Sequence, residues 1–388
     1  MNEVKRVARW LALVISLATL SLASWIFIPA PTYFLLTFGV GAPEVSAWLV
    51  VASLVALGLT AFGGRASAVA RITVLCALAA LALALTVLGR LPSTIARFDT
   101  AMDGMTSEPR NPMRRRPVAV LDLFRGVPIG NARVIRDIPF ASPGGVRLAL
   151  DVYQPPTSGR YPIVVQIYGG AWQRGEPGSN ADFAAWLSSS GYVVFAIDYR
   201  HAPRWKWPIQ IDDVDAALAW IRDHAADYGG DTARVVLIGR SAGAHLAMLA
   251  AYRPAPLTIR GVISYYGPTD LADAYRHPPT PDPLHIRRVE EAFLGGPPDS
   301  MPDRYLEASP LGYATHPMPP TLLVYGARDH IVEARYGAAL RDRLAAAGTP
   351  VVYLEIPWAE HAFDAVFNGP SSQLALYYTE RFVAWATR

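Results

Sequence analysis

Residues 234–249 read RVVLIGRSAGAHLAML, and the join inside this stretch decides how the rest of the chain is read. A continuously apolar run with the character of a buried strand passes without pause into a small-residue helix. Ser241 stands at the join, flanked by Gly239 and Gly243. An Asn-Gly or Asp-Gly turn would connect the two elements at less strain. A serine hydroxyl, however, is a poor nucleophile unless it is held clear of the sheet, near a base and beside oxyanion donors. A sharp strand-to-helix turn does this, and its crowded backbone requires glycine at both flanks. The helix that follows turns its positive end and free N–H groups to the same spot. Gly-x-Ser-x-Gly alone arises by chance in on the order of one chain in ten. Its placement between VVLIG and AHLAMLAA is what makes Ser241 the candidate nucleophile.

Outward from this turn, short β-rich runs alternate with helical ones over residues 131–388. Strands are expected near 133–140, 146–153, 162–168, 192–198, 234–239, 260–265, 321–326 and 350–356. Helices are expected near 181–190, 209–226, 242–252, 333–347 and 372–387. Runs such as IVVQIY and VVFAID are apolar throughout, as in a parallel sheet covered on both faces. The alternation predicts a doubly wound, mostly parallel α/β domain. Residues 267–320 carry twelve prolines and little periodicity, and read as an excursion or cap over the sheet edge.

A nucleophilic serine of this kind needs an acid and a base, in that chain order. Asp329 in LLVYGARDHIVE and His361 in IPWAEHAFD each lie just past an apolar strand. Glu333 and Asp364 are the nearby competitors for the acid, whereas His245, His277 and His316 read as ordinary histidines. YGGAW, residues 168–172, follows another buried strand where glycines can aim backbone N–H groups at the site. The N–H groups of Gly170, Ala171 and Ala242 are the expected oxyanion donors, with Tyr168 and Gly169 supporting the loop. Trp172, Trp205, Trp207, Trp358 and Phe363 lie near these motifs and are candidate walls of a substrate pocket.

The first quarter differs in character. The chain is 52% hydrophobic, and from residue 10 to 89 its charged side chains are Glu44, Arg65 and Arg71. Apolar runs at 10–28, 45–62 and 72–88 are each long enough to cross a ~30 Å hydrocarbon core as a helix, and none shows a polar face. A transmembrane helical region over 1–91 and a linker over 92–130 follow. Lys5, Arg6 and Arg9 precede the first run, and Arg65 and Arg71 lie near the second turn. The positive-inside rule then predicts a multi-pass protein of a bacterial cytoplasmic membrane, with the chain after the third run extracytoplasmic. Arg90 and Arg97 fall on that outer side. The first run also has signal-peptide character, and its cleavage would leave this sidedness unchanged. Arg114, Arg115 and Arg116 read as a solvated linker cluster. The net charge of +3, without a basic block interleaved with aromatics, gives no support to nucleic-acid binding. Cys76, the one cysteine, forbids an intrachain disulfide. Neither a metal-ligand cluster nor a dinucleotide fingerprint occurs, so no cofactor is implied.

The ordered set YGGAW, DYRHAP (198–203), GRSAG, YGPTD (266–270), ASP (308–310), GARDHIV and EHAF resembles the α/β-hydrolase esterases. The likeness covers roughly residues 131–388 and is closest to the hormone-sensitive-lipase and kynurenine-formamidase-like (BD-FAE-type) carboxylesterases. It implies an α/β-hydrolase sheet with Ser241, Asp329 and His361 as a Ser-His-Asp triad. Tyr168 stands where that family usually has histidine. The implied activity is hydrolysis of small-molecule or lipid carboxylic esters with a short to medium acyl group, through an acyl-enzyme. The alternatives are an acyltransferase or deacetylase acting on cell-envelope sugar or lipid esters, an arylformamidase-like amidase, and an inactive hydrolase fold used for binding.

Overall fold

The computed structural model describes residues 2–64, 67–109 and 111–388; Arg65, on which the charge rule drew, lies outside them. Four helices open the chain: α1 (Asn2–Ser24), α2 (Tyr33–Glu44), α3 (Ser46–Gly63) and α4 (Ala68–Ala101). Among the described residues, α1, α3 and α4 are long and apolar enough to cross a membrane. Their contact seam is made of small residues. Ser46, Leu49, Ser53, Ala56, Thr60 and Gly63 line it on α3, and Ala70, Thr73, Ala77, Ala80, Ala84 and Val87 on α4. The alternating three- and four-residue spacing is the seam of a left-handed bundle, and small side chains let backbones without a hydrophobic driving force approach closely. Ser53, Thr60 and Thr73 satisfy their hydroxyls on the carbonyl one turn back, whereas the buried Ser46 hydroxyl has no partner among the described residues. Large apolar side chains point outward instead, Leu75 with 68% of its surface exposed. Arg9 donates to the Gly63 carbonyl at the far end of the bundle, which gathers the N-terminal basic residues beside the α3–α4 turn.

The helix bounds differ from the apolar runs. α1 begins before residue 10 and stops at Ser24, because Pro29 and Pro31 lie just ahead and cannot continue it. α4 passes through Pro92 to Ala101, ten residues into the expected linker. Its extension is held by docking: Phe98 packs edge-on against Tyr378 at 5.4 Å, and the Tyr378 hydroxyl donates to Asp99 at 2.8 Å. Residues 102–109 and 111–130 belong to a strap rather than a free linker. The Met113 and Ala119 N–H groups donate to Glu380 and Gln373 of the C-terminal helix (Pro370–Ala386). Arg114 is buried there against Asp122 and Gln373, so the basic cluster is not wholly solvated; burial lowers its guanidinium from the usual range.

The α/β domain is one eight-stranded sheet, comprising β1 (Arg133–Ala141), β2 (Leu148–Gln154), β3 (Tyr161–Ile167), β4 (Val193–Ile197), β5 (Gly230–Arg240), β6 (Ile259–Tyr265), β7 (Thr321–Gly326) and β8 (Val351–Ile356). The order is β1-β2-β4-β3-β5-β6-β7-β8, with β2 antiparallel to both its neighbours, β1 and β4, and every other adjacent pair parallel. β3 to β7 are Val- and Ile-rich and almost wholly buried, as helices on both faces demand. β1 is an exposed edge carrying Arg133, Arg136 and Asp137, charges that discourage pairing with another chain. The excursion at 267–320 holds four short helices, Leu271–Arg276, Ile286–Leu294, Pro302–Glu307 and Pro310–Tyr313. Proline starts two of them, at first-turn positions where no amide is lost.

α2 joins the two parts. Both its ends meet the α/β domain: Glu44 accepts the Ser371 N–H at the start of the C-terminal helix (3.0 Å), and Tyr33 receives the Arg174 guanidinium. Burial pushes the Glu44 carboxyl up to about 8, opposed by its Ser371 contacts. An acid raised in the folded state contributes stability that is present below its unfolded value, 4.5, and is lost as pH climbs through about 8. Thermal unfolding in detergent should therefore show the midpoint falling between pH 5 and 8.5, and Glu44→Gln should flatten that fall. An unchanged slope in the variant would place the pH dependence elsewhere.

Candidate active site

β5 ends at Arg240, and the next helix begins at Ala242, so Ser241 alone makes the turn. Its backbone sits at φ 52°, ψ −121°, a strained conformation that a serine adopts only where the surroundings over-determine it. A Cβ on Gly239 would lie 2.1 Å from the Gly243 carbonyl oxygen, and one on Gly243 would lie 2.2 Å from that of Ile167. Both flanks must be glycine. The Ser241 N–H donates to the Tyr265 carbonyl at 2.9 Å, tying the turn to β6.

The structure brings Ser241, His361 and Asp329 together. His361 Nε2 lies 3.0 Å from Ser241 Oγ, and its Nδ1 lies 2.7 Å from Asp329 Oδ2. The other Asp329 oxygen accepts the Ile331 and Val332 N–H groups at 2.8 and 2.7 Å, which fixes the carboxylate's orientation. Burial raises the Asp329 carboxyl from its ordinary value, with His361 pulling the other way and Glu360 adding to the rise. The competitors are engaged elsewhere. Asp364 pairs with Arg240 at 2.5 Å and accepts the Tyr266 hydroxyl, and Glu333 faces Arg335 near the surface.

The YGGAW loop runs past the same point. Ala171 and Trp172 hold left-handed backbone at φ 55° and 57°, and Gly170 and Ala171 line the pocket on Ser241. Ala242, first in its helix, lines the deeper lobe with Ala171. Gly169 packs against the Arg240 carbonyl and Ser241. Tyr168 does not reach Ser241. Its ring stacks on Tyr199 at 4.5 Å, and its hydroxyl sits 2.5 Å from Asp198 and 2.8 Å from His201 Nε2. It thus ties the glycine loop to the DYRH segment, and burial pushes its phenol well above the ordinary value.

Two lobes meet at Ser241. The outer one, a pocket of about 230 Å³, is lined by Gly170, Arg174, Tyr266, His361 and, from α2, Tyr33. The inner one is closed by Trp172, Leu284, Ile286, Val289, Ile331 and Tyr336. Of the five aromatics expected at the pocket, Trp172 alone lines either lobe. Trp205 is held by Arg204 at 4.4 Å; Trp207 packs on Phe293 and His245; Trp358 donates to Ser371; Phe363 is buried against Tyr265 and Tyr266. Trp207, Trp358 and Phe363 are core and Trp205 is partly exposed outside both lobes, because nearness in sequence to a motif does not determine which way a side chain turns.

Several participants carry no signal of their own in the sequence. Glu360 accepts the His330 and His361 N–H groups at 2.7 and 3.0 Å and meets His330 Nδ1 at 2.6 Å, binding the Asp329 loop to the His361 loop. His245, read as ordinary, is fully buried behind Trp172, whose indole donates to it at 3.2 Å; burial lowers it to about 4. Glu290, 2% exposed, faces the inner lobe and is pushed well above the carboxylate range by burial and then by Asp270. Adjacency in EH was the available hint for Glu360; Tyr33 had none.

The BD-FAE family profile matches residues 150–344. The chain belongs to the BD-FAE family. It is 32% identical over 254 residues to the probable carboxylic ester hydrolase LipM of Mycobacterium tuberculosis, covering 61% of this chain and 57% of that protein. It is 33% identical over 258 residues to the esterase LipQ of the same organism, covering 62% and 59%. The chain thus spans under two thirds of the length of these relatives. A bacterial heroin esterase matches with TM-score 0.59 at 21% identity, covering 77% of this chain and 93% of that one. That likeness shows the α/β-hydrolase fold.

Removing the phenol of Tyr168 while keeping its stacking tests its place in this family. Tyr168→Phe leaves Asp198 and His201 short of a partner and should cost about 1–3 kcal/mol of stability. Turnover of an activated ester should fall several-fold with KM little changed. A variant indistinguishable from the parent in both would assign the loop's rigidity to the ring alone.

Proposed function

We propose that this chain is a membrane-anchored serine carboxylesterase whose catalytic domain lies on the extracytoplasmic side. One observation carries the chemistry: a strained serine whose Oγ is 3.0 Å from a histidine, itself 2.7 Å from a buried carboxylate. Ser241 Oγ attacks the ester carbonyl carbon as His361 Nε2 takes its proton. The N–H groups of Gly170, Ala171 and Ala242 receive the developing oxyanion. Collapse breaks the bond to the alcohol oxygen, which takes the proton back from His361, and leaves the acyl group on Ser241. Water, deprotonated by the same imidazole, then releases the acid. Asp329 stays ionised and stabilises the imidazolium. Relatives named as esterases support this reading. The inner lobe, lined mainly by apolar side chains with Glu290 among them, supports a short to medium acyl group.

Ser241→Ala and His361→Ala should each lower p-nitrophenyl acetate turnover by on the order of 10⁴-fold or more, with unfolding temperature retained, because the three groups act as a unit. Asp329→Asn should be crippled nearly as far by disfavouring the productive tautomer. Full activity in Ser241→Ala would sink the assignment.

Anchoring rests on α1, α3 and α4, whose length, composition and outward apolar side chains suit lipid. Sidedness rests on the basic residues at the end remote from the α/β domain. Protease added to intact spheroplasts should digest the region after Ala101 and spare a tag placed before Lys5. Protection of that region until the membrane is dissolved would reverse the topology.

A further inference from the structure

The two lobes at Ser241 are chemically unequal, and the base tells them apart. His361 must hand its proton to the departing alkoxide, so the alcohol portion of an ester occupies the lobe that His361 lines. That is the outer lobe; His361 does not line the inner one. The acyl portion therefore enters the inner lobe, where Leu284, Ile286 and Val289 of the excursion close in from one side and Ile331 and Val332 of the acid loop from another.

The outer lobe is not made by the α/β domain alone. Tyr33, the first residue of α2, forms part of its wall. Arg174, just beyond the oxyanion loop, donates to the Tyr33 hydroxyl and lies over its ring at 4.8 Å. Arg328, beside the catalytic acid, donates to the Phe27 carbonyl and lies over that ring at 5.5 Å. Both arginines hold the α1–α2 segment against the mouth.

That segment marks a boundary. α2 is about 18 Å long, too short to cross a bilayer, and both its ends contact the α/β domain. It therefore lies along the foot of the bundle, where α1 ends at Ser24 and α3 begins at Ser46. Phe34, 75% exposed, sits next to Tyr33, with Phe27, Ile28 and Phe38 also exposed nearby. Trp48 and Phe124 make a second exposed aromatic pair at the same level, 5.0 Å apart. Aromatic side chains gathered at the end of a spanning bundle are the mark of the bilayer interface.

We propose that the substrate is a short-chain acyl ester of an amphiphilic alcohol resident in the bilayer, its headgroup presented to Ser241 along Tyr33 while its hydrocarbon stays among the lipids beside Phe34. This rests on the esterase reading and on the membrane placement proposed above. It assigns hydrophobicity to the leaving group and shortness to the acyl group, the reverse of a lipase acting on long-chain acyl esters.

The test uses the full chain reconstituted in phosphatidylcholine vesicles. Hydrolysis of ethyl, hexyl and dodecyl acetates is compared with that of ethyl acetate, hexanoate and dodecanoate, with p-nitrophenyl acetate as reference. Lengthening the alcohol from ethyl to dodecyl should raise kcat/KM about tenfold or more, whereas lengthening the acyl chain to dodecanoyl should lower it by at least as much. Phe34→Glu should cut the ratio of dodecyl acetate to p-nitrophenyl acetate turnover about tenfold. Equal rates along the alcohol series, or a preference for dodecanoate, overturn the proposal, as does a ratio unmoved by Phe34→Glu. Should Phe34→Glu not fold, the parent's two series still decide. Failure of the parent on p-nitrophenyl acetate itself would instead sink the esterase reading.

Discussion

Position 243 has no room for a side chain: the carbonyl oxygens of Ile167 and Tyr168 would lie 2.2 and 2.3 Å from any Cβ there. This contact presses the exit of β3 against the helix that follows Ser241, and the arrangement of the site descends from it. The glycine loop leaves β3 and Ser241 leaves β5, and the two strands are parallel neighbours in the middle of the sheet. Because they touch at their exits, the glycine loop and the Ser241 hydroxyl arrive at one point without any long-range adjustment. Asp329 and His361 then come from the exits of β7 and β8 at the same edge, where ligands of open α/β sheets bind.

Most of this was legible because it is local or periodic. The strands of the α/β domain are apolar enough to declare themselves, and each motif follows a strand directly, so chain order and strand ends together fixed the positions of Ser241, Asp329 and His361. The boundaries of α1 and α4 were not legible, since hydropathy marks where lipid could be and not where hydrogen bonding stops. The small-residue seam of the bundle was likewise hidden: Ala, Ser and Thr at three- and four-residue spacing barely alter an average dominated by leucine. Trp207, Trp358 and Phe363 were misplaced for a different reason. Each stands beside a motif, but a large aromatic gains more from full burial than from lining a cleft. The contribution of Tyr33 depends on a contact across some 140 residues of chain, with Arg174, and nothing near Tyr33 announces it.

The apolar helices are more than a tether. Ala23, Ile26, Leu36, Ala84, Val87 and Phe98 belong to the same continuous core as the central strands. Glu44 reaches the start of the C-terminal helix, where a carboxylate would be welcomed by the helix dipole yet is held in a site dry enough to favour its neutral form. The two parts therefore share one core, which sets the height of the outer lobe's mouth relative to the bundle. A flexible linker at 92–130 would have left that height undefined.

The strap across the C-terminal helix also bears on biogenesis. Met113 and Ala119 are bonded to Glu380 and Gln373, so early and late segments complete each other. Roughly 290 residues follow Ala101; at 5–20 residues per second their synthesis takes on the order of 15–60 s. Through that interval the bundle is already made while the sheet lacks the helix that covers one of its faces. The half-finished domain presents Val- and Ile-rich strands without their cover, the setting in which misassembly and holdase capture compete with folding. The strap and the C-terminal helix thus leave each other's hydrogen-bonding groups open until residue 370 and those after it have emerged.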